Sequence, residues 1–210
     1  MKFLTAEGVK ALEAAVAEIE KASAVEVVLA VRPRARHWLV QHAFVGVAAA
    51  LGVLAFTLWS DRMFPLWQIM VLPVLAGTVG VLLVEAVPPI YRFLAPPPVR
   101  YEHVRDAARA AFVAQRVHAT RARTGLLVYI ALRERLVELV GDLAIDDKVG
   151  RKTLVAWAEQ LEAALPGGAE ATAKALAALA PELAKALPHV QGDVDELPDT
   201  LQVLGRAPRR

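Results

Sequence analysis

The chain has 210 residues, 56% of them hydrophobic, with a mean hydropathy of +0.41 and a net charge of +2 from 24 basic and 22 acidic side chains. That length fits one domain with an insertion, and the near balance of charge leaves no electrostatic case for nucleic acid as a partner. The absence of cysteine excludes disulfides, thiolate zinc sites and a cysteine nucleophile.

The first twenty residues carry Glu7, Glu13, Glu18 and Glu20. They therefore read as an amphipathic helix and not as a cleaved signal peptide, which needs a basic start followed by an apolar run. Thr5 has N-cap chemistry, and Leu4, Val9, Leu12, Val16 and Ile19 recur at helical spacing, which predicts a helix over about 6–22. Val25 to Val31, VEVVLAV, is a dense β-branched run and predicts a strand, ended by Arg32, Pro33 and Arg34.

The apolar excess is concentrated in residues 40–87, where only Asp61, Arg62 and Glu85 are charged. Val40 to Trp59 and Leu66 to Val84 carry no formal charge, and about 20 apolar residues in a helix span a hydrocarbon core of roughly 30 Å. A transmembrane hairpin is expected, with helices at about 40–59 and 66–87 joined through Ser60 to Pro65. Trp59 and Trp67 mark one interface, Trp38 and Tyr91 the other. Lys21, Arg32, Arg34 and Arg36 precede the hairpin and Arg92, Arg100 and Arg105 follow it, against Arg62 alone in the loop. The positive-inside rule then gives a two-pass protein integral to the cell inner membrane, both termini cytoplasmic. The lipid bilayer is the first expected partner, with Arg32, Arg34 and Arg36 at anionic headgroups. Gly46 with Ala50, and Ala76 with Gly80, would let the helices approach closely, and Pro73 would kink the second. Glu85, His37 and His42 read as interfacial side chains.

After the hairpin, APPPV at residues 95–99 is a stiff linker. Val104, Ala107, Ala108, Ala111 and Phe112 predict a helix over about 100–119. Two strands follow, about 126–132 and 135–141, with Arg133, Glu134 and Arg135 as a solvated turn. Leu126, Val128, Ile130 and Leu132 line one face of the first strand and Leu127, Tyr129 and Ala131 the other, so it needs cover on both sides. Helices at about 148–165 and 169–186 are separated by Pro166-Gly167-Gly168, with a break expected at Pro181. An acidic stretch with Asp193, Asp195, Glu196 and Asp199 leads to a tail at 205–210. The fold class is α/β: a small mixed sheet flanked by helices, in which residues 1–36 and 95–204 form one discontinuous domain interrupted by the hairpin.

The opening helix with SAVEVVLAV (23–31), the block AFVAQRVHATRARTGLLVYIALRERLVELVGDLAID (111–146) and DELPDTLQVL (195–204) together resemble the TPM domain family, in its bacterial membrane branch. Phe112, Thr120, Thr124, Gly125, Glu134, Val137 and Asp142 fall at the recurring positions of that family. The resemblance implies an α/β/α sandwich, in a family linked to photosystem repair, receptor-associated roles, calcium binding and weak phosphatase activity. Many such domains lie outside the cytoplasm, from which the orientation expected here departs.

Neither a phosphate-cradling glycine loop nor a GxSxG elbow occurs, and the serines are Ser23 and Ser60 alone. His37, His42, His103, His118 and His189 show no metal-ligand spacing. Asp142, Asp146 and Asp147 are the candidate metal ligands, because three carboxylates in six residues are hard oxygen donors suited to Ca²⁺ or Mg²⁺. They follow a strand, where open α/β sheets bind ligands, although aspartates also cap helices and start turns. The sequence therefore points to a membrane-anchored, non-catalytic interaction or regulatory module. Its partner would be another membrane protein or a second copy bound through the hairpin. The alternative is a divalent-metal-dependent phosphatase using the aspartates.

Overall fold

A computed structural model of the chain describes residues 2–33, 39–86, 97–189, 197 and 201–204. Arg34, Arg36, His37, Trp38, Val87, Tyr91, Arg92, Asp193, Asp195, Glu196, Asp199 and the tail at 205–210 lie outside the described residues, as do the side chains of His42 and Glu85. The chain divides into two units: Met1–Ala35 with Tyr101–Arg210, and Arg36–Arg100.

In the first unit, the Thr5 hydroxyl accepts the Gly8 N–H at 3.1 Å and starts helix α1, Ala6–Ala22. Leu12, Ala15, Val16 and Ile19 are buried on one face, and each large side chain removed from water in this way contributes roughly 1.5–3 kcal/mol. Strand β1, Glu26–Arg32, runs parallel to β2, Gly125–Ala131, in register from Glu26↔Gly125 to Arg32↔Ala131. Strand β3, Leu136–Gly141, returns antiparallel to β2, and β4, Gln202–Val203, lies parallel to β1 on its other side. The sheet order is β3-β2-β1-β4. Val27, Leu29, Val31, Leu126, Val128 and Ile130 face the core built with α1 and the helices after β3. Val28, Ala30, Leu127, Tyr129 and Ala131 face Val104, Ala108, Ala111 and Val117. The cover needed by strands apolar on both faces is thus present.

The helix expected over 100–119 is α4, Pro97–Ala114, the label following the two helices of the second unit. It stops because Arg116 takes a left-handed conformation at φ 55°, after which Val117–Ala119 forms a single 3-10 turn. A helix absent from the sequence reading, α5, Leu143–Lys148, follows β3. Helix α6, Arg151–Ala164, starts after Gly150 at φ 81°. The predicted break at Pro181 is real, since α7, Ala169–Ala177, ends before α8, Ala180–Ala186, and Pro181 sits in the first turn of α8. Strand β4 was not foreseen: two residues are too few to leave a periodic pattern.

Glutamates occupy backbone donors at both sides of the sheet. Glu20 Oε1 accepts the Val27 N–H at 2.9 Å beside β1, and Glu162 Oε1 accepts the Val137 N–H at 2.9 Å beside β3. Side chains placed in this way blunt the pairing capacity of an edge. Burial, more than any other influence, raises the Glu162 pKa above its ordinary value of 4.5; the Val137 N–H and the Tyr101 hydroxyl oppose the rise, and Glu159 and Glu138 add to it. A carboxylate with a raised folded pKa weakens the fold when ionised, so stability is recovered as pH falls through that pKa. Glu162→Gln keeps the acceptor and removes the charge. It is expected to raise the thermal midpoint at pH 7–8 by on the order of 1 °C, and the gain should vanish below pH 4.5, where the carboxyl is protonated in both states. Equal midpoints for variant and wild type across the whole range would contradict this.

The second unit holds helices α2, Leu39–Trp59, and α3, Leu66–Ala86, with Pro73 inside α3. Their link is tightened by the Arg62 N–H donating to Ser60 Oγ at 3.3 Å. The two helices touch through glycine: a Cβ on Gly46 would stand 2.7 Å from Val81 Cγ2 and 3.1 Å from the Gly77 oxygen. On Gly80 it would stand 3.2 Å from Ala49 Cβ. Gly77 joins the contact, where a Cβ would stand 3.0 Å from the Gly46 oxygen and 3.4 Å from Ala50 Cβ. Leu66–Leu83 is long and apolar enough to cross a membrane, whereas Ala43–Trp59 is a shorter apolar stretch.

Candidate functional site

Two polar clusters form at opposite ends of the sheet, and a cleft lies beside the helices after β3. At the C-terminal ends of the parallel strands stand Arg32, Tyr129 and Glu134. The ladder continues past the strands, with the Leu132 N–H donating to the Arg32 oxygen at 3.0 Å and the Arg133 N–H to the Pro33 oxygen at 3.2 Å. These bonds fold the turn 132–135 over the end of β1. The solvated turn expected here is wrong for its central residue: Glu134 is only 1% exposed, while Arg135 is exposed in a left-handed conformation at φ 55°. The turn tucks the carboxylate inward because the backbone it pairs with belongs to β1, which only the folded sheet brings close. Arg133 and Glu134 each engage a polar or charged partner. Burial raises the pKa of Tyr129, the positive charge of the nearby Arg32 opposes the rise, and the Glu134 carboxylate adds to it.

At the other end is Asp142. It follows β3, but β3 is antiparallel, so its end lies beside the N-terminal ends of β1 and β2, with Leu126 opposite Gly141. This is not the crevice at the carboxyl ends of parallel strands where such sheets bind ligands. Asp142 is 7% exposed. Its Oδ1 accepts the Leu143 N–H at 2.8 Å, capping α5, and its Oδ2 lies 3.5 Å from Arg123 Nη1. Arg123 Nη1 also donates to the His118 oxygen at 2.8 Å, and the Thr124 N–H donates to Thr120 Oγ1 at 3.1 Å. The loop before β2 is thereby stapled to the start of α5. Asp146 and Asp147 are exposed residues inside α5; they do not cap the helix near 148, which begins at Arg151 after Gly150. Among the described residues no three His, Cys, Asp or Glu side chains gather as a group able to hold a metal. A Ca²⁺ cage needs six or more oxygens; Asp142, the buried member, has Oδ1 on the Leu143 N–H, while Oδ2 is ion-paired with Arg123 without a hydrogen bond. Asp142, Asp146 and Asp147 as placed do not fit that ion.

The sequence reading also missed the cleft of about 460 Å³ lined by Lys148, Thr153, Trp157, Glu182 and Lys185. Trp157, 3% exposed, forms its floor and donates its indole N–H to Glu182 Oε2 at 3.1 Å. A lone tryptophan on the apolar face of an otherwise alanine-rich helix was the available signal. The two serines serve structure: Ser23 Oγ donates to the Ile19 oxygen at 2.8 Å, and Ser60 Oγ accepts within its turn.

No family model matches the chain, and no curated protein matches it. Among solved structures it is similar to the NMR structure of the BA42 protein from the psychrophilic bacterium Bizionia argentinensis. The TM-score is 0.57 at 18% identity, covering 96% of this chain and 95% of that one. That likeness shows the fold, a mixed α/β domain with a four-stranded sheet and flanking helices.

Proposed function

We propose that the chain is a two-pass protein of the cell inner membrane, both termini cytoplasmic, whose hairpin Leu39–Trp59 and Leu66–Ala86 anchors a TPM-like domain acting as a non-catalytic interaction or regulatory module. The observation that carries the anchor is the outward surface of these helices. Phe44, Phe56, Met70 and Val74 are each more than 60% exposed, and the stretch Leu66–Leu83 is 6% buried. Soluble monomers rarely expose apolar patches above a few hundred Å², and a hydrocarbon environment removes the penalty. Asp61 and Arg62, both exposed, sit in the link between the helices, where a turn at the far headgroups would keep them wet.

The module reading draws on how the polar clusters are used. Arg32, Tyr129 and Glu134 close one end of the sheet, and Arg123 and Asp142 staple the other. Each carboxylate has a structural task that substrate chemistry would interrupt.

The anchor is tested by fractionation. The full chain is expected to stay in the membrane pellet through alkaline carbonate and to enter solution only with detergent. A reporter fused after Arg210 should be active on the cytoplasmic side. Val74→Arg places a charge costing roughly 2.5–3.5 kcal/mol at a helix centre and is expected to shift much of the protein to the soluble or degraded fraction. Wild-type protein recovered in the supernatant without detergent refutes the anchor. The enzymatic alternative is tested by phosphate-ester hydrolysis with and without Mg²⁺ against Asp142→Asn. Equal, background rates are expected, and a Mg²⁺-dependent rate lost in the variant would establish the phosphatase instead.

A further inference from the structure

The cleft over Trp157 is lined by two cations that the fold leaves without a counter-ion. Lys148 ends α5, Leu143–Lys148, and Lys185 lies in the last turn of α8, Ala180–Ala186; both are exposed and both line the cleft. Among the described residues neither makes an ion pair. Asp146 and Asp147 stand two and one positions before Lys148, spacings at which helical side chains do not face each other. Glu182 stands three before Lys185, a spacing that does permit a pair, yet its Oε2 accepts the Trp157 indole N–H at 3.1 Å. A buried indole N–H needs an acceptor, and this one draws the carboxylate to the floor of the cleft.

Thr153 adds a hydroxyl. Thr57, Thr78 and Thr172 each donate theirs to a carbonyl three or four residues earlier, at 2.9, 2.8 and 2.9 Å. Thr153 makes no such bond among the described residues, since Val149 and Gly150, four and three before it, lie outside α6, Arg151–Ala164. Val149 and Thr153 both line the cleft, and between them Gly150 starts α6 at φ 81° with no side-chain cap. The partial positive charge of that helix start therefore borders the same space as the two lysines.

We propose that this cleft binds a small phosphate monoester with a hydroxyl- or amino-bearing body, the phosphate between Lys148 and Lys185 and the body toward Glu182. A phosphate monoester carries about −1.5 to −2 charges at neutral pH, which answers two lysines, whereas a carboxylate answers one. Lysine binds such a group as a point charge, and the Thr153 hydroxyl supplies a directed donor. The cleft, about 460 Å³, falls among the roughly 300–1,000 Å³ of organic-ligand sites and has room for more than an inorganic ion. Glu182 puts an acceptor in that room, so the body is one that donates hydrogen bonds. As the regulator of the domain this ligand rests on the module reading; its binding is independent of whether the hairpin crosses a bilayer.

Full-length protein in detergent is titrated with glycerol 3-phosphate and followed by phosphorus NMR, in which line broadening reports binding and a new inorganic phosphate signal reports hydrolysis. Broadening is expected, with the ester intact. Lys148→Ala with Lys185→Ala should weaken binding about tenfold or more, since both charge-assisted contacts are lost. Lys174→Ala, an exposed lysine of α7 outside this cleft, should leave it unchanged. Inorganic phosphate should bind about fivefold more weakly than the ester, and Glu182→Gln, which keeps an acceptor for Trp157, should narrow that gap by removing a like charge. Phosphatidic acid mixed into the micelles carries the same monoester on a lipid: competition with glycerol 3-phosphate assigns the site to a headgroup, and its absence to a soluble ester. No broadening up to about 10 mM ester, or equal broadening in the double-lysine variant at an unchanged thermal midpoint, overturns the proposal. An ester that binds and is hydrolysed overturns the module reading and leaves the cleft as its binding site, so the two failures are distinguishable.

Discussion

Replacing Gly125 with alanine is expected to lower the thermal midpoint by about 10 °C, a loss of about 3 kcal/mol or more. A Cβ built on Gly125 stands 2.1 Å from the backbone oxygen of Val117 and 2.9 Å from its Cγ1. Neither side can yield. Val117 is fully buried in the 3-10 turn Val117–Ala119, behind Arg116 at φ 55°. Gly125 pairs with Glu26 on β1, and its oxygen accepts the Asp142 N–H at 2.9 Å. Moving it would break the registry of the two central strands and the cap of α5 together. Because the closest contact is a carbonyl, trimming the neighbour should not help: Gly125→Ala with Val117→Ala is expected to be no more stable than Gly125→Ala alone. The full chain in detergent, followed by thermal unfolding, reads both. A Gly125→Ala midpoint within 2 °C of wild type would show that the loop before β2 relaxes freely, contrary to the packing described.

Glu134→Ala is expected to cost about 3 kcal/mol, in the range for removing one member of a buried charged network. Glu134 is 1% exposed, has a polar or charged partner, and its charge is felt at Tyr129 beside Arg32. Truncation leaves the polar or charged partner of a buried carboxylate without it. Glu134→Gln keeps the shape and the acceptor and should lose less, about 1–2 kcal/mol, as for a charge-assisted hydrogen bond made neutral. Arg135→Gly is the matched control. Arg135 is exposed at φ 55°, glycine accepts that conformation without strain, and the change should stay within about 0.5 kcal/mol of wild type. Should Glu134→Ala and Arg135→Gly melt together, the buried carboxylate would have no part in holding the turn to β1.

Local pattern was enough for the elements whose cause is local. Thr5 and the spacing of Leu12, Val16 and Ile19 delimit α1, Ala6–Ala22, as read, because the cap and the buried stripe both lie within the helix. The β-branched runs yielded β1, β2 and β3 within about a residue at each end. Pro181 marked its break, since a missing N–H acts wherever the helix is. The apolar run from residue 66 was legible for the same reason: length and hydropathy belong to the segment alone.

What escaped the sequence depends on partners far along the chain. Asp142 sat at a strand end and suggested a ligand crevice, yet the antiparallel return of β3 puts that end beside the starts of β1 and β2, and strand direction is settled only by pairing. Glu134 looked like any charged turn residue; the turn that holds it is tied through Leu132 and Arg133 to the backbone of Arg32 and Pro33, about a hundred residues earlier in the chain. Gly77 meets Gly46 through a contact that belongs to both helices at once. The strand Gln202–Val203 exists because β1 has an edge to offer and Glu13 and Glu26 stand beside it. Periodicity records which way a side chain faces within its own element; which groups meet across elements is decided by packing, whose terms are contacts between residues that no local window contains.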